Sequence, residues 1–132
     1  PFVVLAATPK HALQLVAWLP RDARAQIRSS WPGRTTLVLP AKRTGWIAAL
    51  AHRGGIALRV DAAEHVRYLC RLAGGWLVST SLNRKGQPPI APSMRLRWRW
   101  HRWLDAVDAS RPGTGKPSEI LRWRASGWQR LR

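Results

Sequence analysis

The sequence predicts a single α/β domain over residues 1–132, in which short strands alternate with helices. Three observations indicate this fold class. A length of 132 residues with 45% hydrophobic content is enough for one modest domain with its own core. Apolar runs of strand length alternate with segments of helical periodicity, and Gly or Pro residues separate them. No internal repeat, low-complexity tract or interdomain linker interrupts this alternation.

The first half of the predicted fold opens on an apolar strand. Residues 2–7 (FVVLAA) form a continuous apolar run, followed by a Thr-Pro pair that suits the start of a helix. A helix is predicted over 10–19, where Pro20 ends it, and the basic segment 21–30 is predicted as a second helix. The β-branched run 35–40 (TTLVLP) is predicted as the second strand.

Two further pairs of a helix and a strand are predicted after the second strand. A short helix is predicted over 44–53, and a Gly-Gly turn leads from it into the third strand at 56–60 (IALRV). The next helix is predicted over 62–73. A second Gly-Gly turn then precedes the fourth strand at 76–80 (WLVST).

The segment 94–103 (MRLRWRWHRW) fits either a strand or a helix. Its Arg residues alternate with Leu and Trp as in a two-faced strand, yet they also share a helical face. Arginine interleaved with tryptophan is typical of surfaces that stack on bases and hold phosphates. The interpretation that we favour is an amphipathic element whose Trp rings cover the core while the Arg head groups stay in water.

The charge balance favours an anionic partner. There are 23 Lys and Arg residues against 6 Asp and Glu residues, which gives a formal charge of +17. Such an excess attracts polyanions or phosphate-bearing small ligands through counterion release and long-range steering. The alternative is a biased composition, with most of the Arg side chains on solvated faces. Charge alone therefore indicates partners and not a reaction.

Several kinds of chemistry find no support in the sequence. Cys70 is the only cysteine, so no internal disulfide forms, and this favours a cytoplasmic location. The position of Cys70 on the apolar face of its predicted helix predicts a buried apolar role. The four His residues lack metal-ligand spacing, the six acids form no close pair, and the Gly spacing of 112–118 (PGTGKPS) is wrong for a phosphate loop. No apolar run reaches membrane-spanning length, so no membrane partner is expected. An enzyme of this composition would act by positioning and charge stabilisation.

The segment 76–89 (WLVSTSLNRKGQPP) is the most informative stretch. It runs an apolar strand into Ser-Thr-Ser-Leu-Asn and then stops it with Gly and two prolines. Hydroxyl and amide side chains at a strand end pack poorly against a core but can form hydrogen bonds with a bound ligand. Ligands bind at strand ends in open α/β sheets. This segment therefore predicts a ligand site.

Four segments together resemble the YrdC-like family, and within it the bacterial threonylcarbamoyl-AMP synthases. They are SSWPGRTTLVLPA (29–41), GIALRV (55–60), LVSTSLNRKGQPP (77–89) and KPSEI (116–120). The resemblance implies a twisted mixed sheet with flanking helices. It also implies an enzyme that joins L-threonine, bicarbonate and ATP into threonylcarbamoyl-adenylate and releases pyrophosphate. Mg²⁺ would accompany the ATP, and partner proteins would pass the threonylcarbamoyl group on to tRNA.

The resemblance also implies site residues, carried over position by position. For ATP they are Thr36, Ser81, Asn83 and Arg132. For threonine they are Arg59, Ser79 and Ser118. A guanidinium such as that of Arg59 suits a carboxylate, because its two parallel N–H groups match the two oxygens. No protein ligand to a metal and no certain catalytic residue is implied.

This sequence departs from the family pattern in two respects. Arg34 replaces the second proline of Pro-Gly-Pro, and Leu82 and Lys85 replace small residues around the Asn. In addition, the family's amino-terminal Tyr-Pro-Thr-Glu and Lys-x-Arg segments have no counterpart, so we expect a fold truncated at its amino terminus. We therefore expect an open sheet edge beside residues 2–7, and no threonylcarbamoyl-adenylate from these 132 residues alone.

Two alternatives to the synthase stay open. One is a non-catalytic module of the same fold that binds double-stranded or ribosomal RNA directly. Its contacts would be the arginines of the 94–103 segment, namely Arg95, Arg97, Arg99 and Arg102. The other is a related carbamoyl-adenylate domain with a different substrate. Arg59 argues against the second, because a carboxylate-binding arginine fits threonine better than free carbamoyl phosphate.

Overall fold

The computed structural model describes residues 2–19, 21–83, 87, 90, 92–108 and 117–132. The chain divides into two compact units, of which unit 1 comprises Pro1–Thr80 with Ser118–Arg132 and unit 2 comprises Ser81–Pro117. Among the described residues, unit 1 contains the sheet and four helices, and unit 2 contains one helix. One domain over residues 1–132 stays a prediction.

Unit 1 is built on a mixed six-stranded sheet. The strands are β1 (Val3–Ala6), β2 (Thr35–Pro40), β3 (Gly55–Arg59), β4 (Trp76–Ser79), β5 (Glu119–Arg124) and β6 (Gly127–Arg130). Their order across the sheet is β4-β1-β3-β2-β5-β6. The β1–β3 and β2–β5 pairs are parallel, and the other three pairs are antiparallel. The α/β class with a mixed sheet is confirmed.

The helices are short, and the first and the last begin at a capping side chain. In unit 1 they are α1 (Pro9–Leu13), α2 (Arg21–Ser30), α3 (Gly45–Leu50) and α4 (Glu64–Leu72), and in unit 2 the helix is α5 (Met94–Arg99). The Thr8 hydroxyl accepts a hydrogen bond from the His11 amide at the start of α1, and Ser93 caps α5 in the same way. In the part of the chain that the structure describes, no helix is long and apolar enough to cross a bilayer.

Two apolar clusters pack on the two faces of the sheet. The larger contains Val4, Leu37 and Leu58, which lie in one row across β1, β3 and β2 and are fully buried. The smaller, on the other face, joins Leu5 of β1 to Cys70 of α4. Cys70 is therefore a buried apolar residue, as the sequence predicts. Its burial raises the pKa of the thiol, and the Asp61 carboxylate raises it further.

Three expectations from the sequence are wrong. The strand at 2–7 does not border an open edge, because β1 lies between β4 and β3, and β4 and β6 are the edge strands among the described residues. The helices predicted over 10–19 and 44–53 are shorter in the structure. The Trp rings of 94–103 do not all cover a core, since Trp98 is 85% exposed and Trp103 is 81% exposed, whereas Leu96 is buried.

Candidate functional site

Four of the residues proposed from the sequence lie at one end of the sheet in unit 1. Thr36 is near the start of β2, Ser118 directly precedes β5, Arg59 ends β3 and Arg132 follows β6. These positions coincide because β2 and β5 are parallel, while β3 and β6 run the opposite way beside them. The register that pairs Leu37 with Leu58 places Thr36 level with Arg59 on the neighbouring strand. Topology thus brings together residues that are up to 96 positions apart, from Thr36 to Arg132.

Two hydroxyl groups form the centre of this end of the sheet. The Thr36 side chain is fully buried, and its Oγ1 donates a hydrogen bond to Ser118 Oγ over 3.3 Å. Ser118 is only half-buried, so its hydroxyl can also reach a ligand. Thr36 is therefore placed to orient the Ser118 hydroxyl.

Arg132 is held in place by backbone pairing beyond the end of β6. The Ile120 amide donates to the Arg132 carbonyl over 3.0 Å, and the Leu131 amide donates to the Ile120 carbonyl over 2.8 Å. The Arg132 Nε also donates to the Ser118 carbonyl over 3.4 Å. These bonds continue the β5–β6 ladder and fix the guanidinium beside Ser118.

Arg59 is held by an ion pair in a partly buried position. Its Nη2 lies 2.8 Å from Asp61 Oδ2, and the two side chains are only 24% and 19% exposed. Within the residues that the structure describes, its Nε is a buried donor with no hydrogen-bond partner. Burying such a donor without a partner costs about 1–3 kcal/mol, so a ligand that accepts from it would bind favourably there.

A glycine turn supports the Arg59 end of β3 from outside the strand. The Gly33 amide donates to the Val60 carbonyl over 2.8 Å, and Gly33 bridges to Asp61. A Cβ atom at position 33 would collide with the Ser30 carbonyl oxygen, so only glycine fits. The Trp31 indole N–H donates to the Thr35 carbonyl over 2.9 Å. This turn fixes the start of β2, and with it Thr36, beside Arg59.

Ser79 lies farther from this end of the sheet. It ends β4 and pairs with Val3, because β4 runs antiparallel to β1. It lies on the same face of the sheet as Arg59. It is two strands away, and two residues beyond Leu77, the β4 residue that is level with Arg59. The carboxyl end of β4 is thus not the end of the sheet that carries Arg59 and Ser118.

Ser81 and Asn83 lie in unit 2, where they form an exposed turn. The Ser81 hydroxyl donates to Asn83 Oδ1, and the Asn83 amide donates to the Ser81 carbonyl over 3.0 Å. The Asn83 side-chain N–H donates to the Gln87 carbonyl over 3.0 Å. These bonds preorganise the Ser-x-Asn pair at the surface. Lys85 lies outside the described residues.

Comparison with known proteins identifies the family. A profile for the Sua5/YciO/YrdC domain, described as telomere recombination, matches residues 1–132. The chain belongs to the Sua5/YciO/YrdC family. It is 36% identical over 122 residues to a threonylcarbamoyl-AMP synthase of Idiomarina loihiensis, covering 90% of this chain and 66% of that protein. It is 37% identical over 115 residues to the synthase of Stenotrophomonas maltophilia, covering 81% of this chain and 61% of that protein.

A solved structure confirms the fold of the Sua5/YciO/YrdC domain. Sua5 of P. abyssi, crystallised with L-threonine, superposes with a TM-score of 0.83 at 21% identity. The match covers all of this chain and 39% of that protein. The chain thus spans about three fifths to two thirds of the length of the two curated relatives. Both the recognised family and the fold class are confirmed.

Asp61 is a residue of this Sua5/YciO/YrdC domain that sequence reasoning missed. Its Oδ2 contacts Arg59, while its Oδ1 accepts from the Ala63 amide over 2.9 Å ahead of α4. The Arg67 guanidinium donates to the Asp61 carbonyl over 2.7 Å. Asp61 therefore couples the site arginine to the start of a helix. An Asp whose side chain can accept from the amide two residues ahead is a signal for such a turn, and it stands in the sequence.

The same face of the sheet carries a second cation farther from the cluster. Arg122 of β5 donates to the His52 carbonyl over 3.1 Å. Burial lowers the pKa of its guanidinium, and the like charges of Arg124 and Arg53 lower it further. Among the described residues, no group of three His, Cys, Asp or Glu side chains could hold a metal ion. This face thus carries two cations, Arg59 and Arg122, beside the smaller apolar cluster.

Proposed function

We propose that this chain provides the amino-acid-binding part of a threonylcarbamoyl-AMP synthase. The observation that supports this most directly is Arg59, which Asp61 orients and whose buried Nε–H has no partner among the described residues. The curated relatives carry that enzyme name, and the related Sua5 structure was obtained with L-threonine. The reaction proposed for the whole protein joins L-threonine, bicarbonate and ATP into threonylcarbamoyl-adenylate and releases pyrophosphate.

The site residues have distinct proposed roles toward threonine. Arg59 would bind the carboxylate through its Nε–H, beside the Nη2 group that Asp61 holds. Ser118 would add a hydroxyl to the same ligand, oriented by Thr36. Ser79 of β4 lies two strands from Arg59 and is therefore assigned no contact with this carboxylate site. Binding in one orientation would place the threonine amine for carbamoylation, and such positioning is the main contribution that this chain can make.

Nucleotide binding is proposed for the exposed polar groups. The Asn83 side-chain N–H would donate to phosphate oxygens, Ser81 would hold the Asn83 side chain in place, and Arg132 would add a positive charge beside Ser118. Thr36 would contribute indirectly, through the Ser118 hydroxyl that it orients. Mg²⁺ would arrive with ATP as part of the substrate, since this ion binds phosphates together with few protein ligands.

The partners and location follow from this assignment. Transfer of the threonylcarbamoyl group to tRNA would require other proteins, so tRNA would be an indirect partner. A reducing cytoplasm suits the free thiol of Cys70. RNA binding without chemistry would leave the Arg59–Asp61 arrangement without a role, so we place it second.

Isothermal titration with L-threonine tests the proposal. Arg59→Lys keeps the charge but loses the planar fork, so we expect threonine affinity to fall at least about tenfold while ATP affinity changes little. Arg71→Lys is the matched control, because Arg71 lies on the exposed side of α4 and contacts the Tyr68 ring. Threoninamide, which lacks the carboxylate, should bind poorly to the unmodified chain. Equal losses for threonine and ATP would show that Arg59 only supports the fold.

A further inference from the structure

A cavity of about 420 Å³ lies in unit 1, between α2 and the segment that begins with α1. We call it the α2 groove. Its floor is formed by lining residues that belong to the larger apolar cluster or pack against it, namely Leu13, Val16 and Ile27. Its rim is formed by exposed lining residues, namely Trp18, Arg24 and Arg28. A cavity of this volume with an apolar floor is typical of sites for small molecules.

The backbone on the α1 side of the groove is fixed by pairing with the end of β2. The Ala17 amide donates to the Pro40 carbonyl over 2.9 Å, and the Lys42 amide donates to the Leu15 carbonyl over 3.0 Å. These bonds fix the chain that leads to Trp18, which is 60% exposed at the rim. The walls of the groove are therefore ordered before a ligand arrives, so binding there costs little ordering entropy.

Two arginines of α2 give one side of the groove a positive charge. Arg24 and Arg28 are four residues apart, so their side chains are neighbours on the helix surface. In the described part of the chain, neither arginine takes part in an ion pair. Asp22, an acid of the same helix, is two residues from Arg24, a spacing at which helical side chains do not face each other. The groove thus combines an apolar floor with two cations that an anionic ligand can neutralise.

We infer that the α2 groove binds a small amphipathic anion, namely an alkyl or aryl group that carries one carboxylate. The apolar group would lie on the floor and against the Trp18 ring, while the carboxylate would accept from Arg24 and Arg28. A nucleotide fits less well, because its hydroxyls would lie over the apolar floor without hydrogen-bond partners. A membrane also fits less well, since its surface is met by a protruding apolar face and not by a groove. The inference does not depend on the proposed synthase activity.

NMR titration of the isotope-labelled 132-residue chain with straight-chain carboxylates tests this inference. From butanoate to octanoate, we expect affinity to rise about threefold to fourfold per methylene, because each added methylene is buried on the floor. In Arg24→Gln combined with Arg28→Gln, octanoate affinity should fall about fivefold to tenfold, whereas the affinity for uncharged octanol should not change. Trp18→Ala removes part of the apolar wall and should weaken octanoate and octanol equally, by about threefold or more.

Matched controls separate the groove from the general charge of the chain. Arg43→Gln combined with Arg71→Gln removes the same charge from exposed positions outside the groove lining, and Trp46→Ala removes another exposed ring, so both variants should bind octanoate normally. The inference is overturned if the unmodified chain does not bind octanoate, if affinity does not rise with chain length, or if the control variants lose affinity equally. Binding to phosphatidylglycerol vesicles but not to free octanoate would assign the arginines to a membrane surface and would also overturn it.

Discussion

Substituting Asp61 by Asn tests whether the carboxylate orients Arg59. Asparagine keeps an oxygen that can accept from the Ala63 amide, so the turn before α4 should survive. It loses the charged contact of 2.8 Å to Arg59 Nη2. The substitution therefore removes the ion pair with Arg59 while the size and shape of the side chain at position 61 stay nearly the same.

The magnitude of the effect follows from burial. A hydrogen bond between charged groups contributes about 1.5–3 kcal/mol, and the lower end applies here because each side chain keeps about a fifth of its exposure. Unfolding entropy near 2.1 cal/mol/K per residue gives about 0.28 kcal/mol/K for 132 residues. A loss of about 1.5 kcal/mol should thus lower Tm by about 5 °C.

Differential scanning calorimetry and threonine titration provide the assay. Because Arg59 is released when its partner is neutral, we expect threonine affinity to fall about fivefold to tenfold together with the loss in Tm. Arg59→Gln provides the second arm of a double-mutant cycle, with an expected coupling free energy of about 1–2 kcal/mol. If Asp61→Asn lowers Tm equally in the Arg59→Gln background, the two side chains are not coupled and the reasoning is wrong.

Three further predictions concern the remaining site and the core. Thr36→Val should change the free energy of unfolding by less than about 1 kcal/mol, since Ser118 can bond to water instead. Its effect on threonine affinity should not add to that of Ser118→Ala, because both act through one hydroxyl. Additive losses in titration calorimetry would contradict the orienting role of Thr36. Ser81→Ala combined with Asn83→Ala should abolish ATP binding and leave Tm unchanged because both side chains are exposed, so unchanged ATP affinity would remove them from the site. The pKa of the Cys70 thiol is raised in the folded chain, so the folded chain keeps a proton that the unfolded chain loses above about pH 8.5. The free energy of unfolding should therefore be unaffected by this group below that pH and fall as pH rises beyond it. Cys70→Ala should show a smaller fall between pH 7.5 and 9.5 in urea unfolding, and an equal fall would assign it to other groups.

The strands with strong β-branched or apolar runs could be predicted from the sequence alone. The run 35–40 coincides with β2, because its pattern and its terminal proline both specify a strand. The strands β5 and β6 were not predicted. Their residues are half-buried and rich in Arg, so their alternation resembles that of a solvated surface.

Helix lengths could not be predicted because tertiary contacts decide them. The helix expected over 10–19 ends at Leu13, and the chain then pairs with the end of β2. The Ala17 amide donates to the Pro40 carbonyl over 2.9 Å, and the Lys42 amide donates to the Leu15 carbonyl over 3.0 Å. Local propensity contains no information about these contacts.

The candidate site could be predicted only in part. Thr36, Arg59, Ser118 and Arg132 were expected from the family resemblance, and the sheet topology brings them to one end. The role of Asp61 depends on a register and a turn that no motif specifies. Sequence patterns therefore identified the cation of the site but not the group that orients it.

The measurement that tests the threonine site most directly is the NMR signal of the Arg59 Nε–H during titration with L-threonine. This donor is buried and has no partner among the described residues, so a bound carboxylate should shift its proton resonance downfield in a saturable manner. Threoninamide should leave it unchanged, and assignment by comparison with Arg59→Lys identifies the signal. A threonine-dependent shift of this resonance is the predicted result. Threonine binding detected by calorimetry without any shift of the Arg59 Nε–H would contradict the proposed carboxylate site.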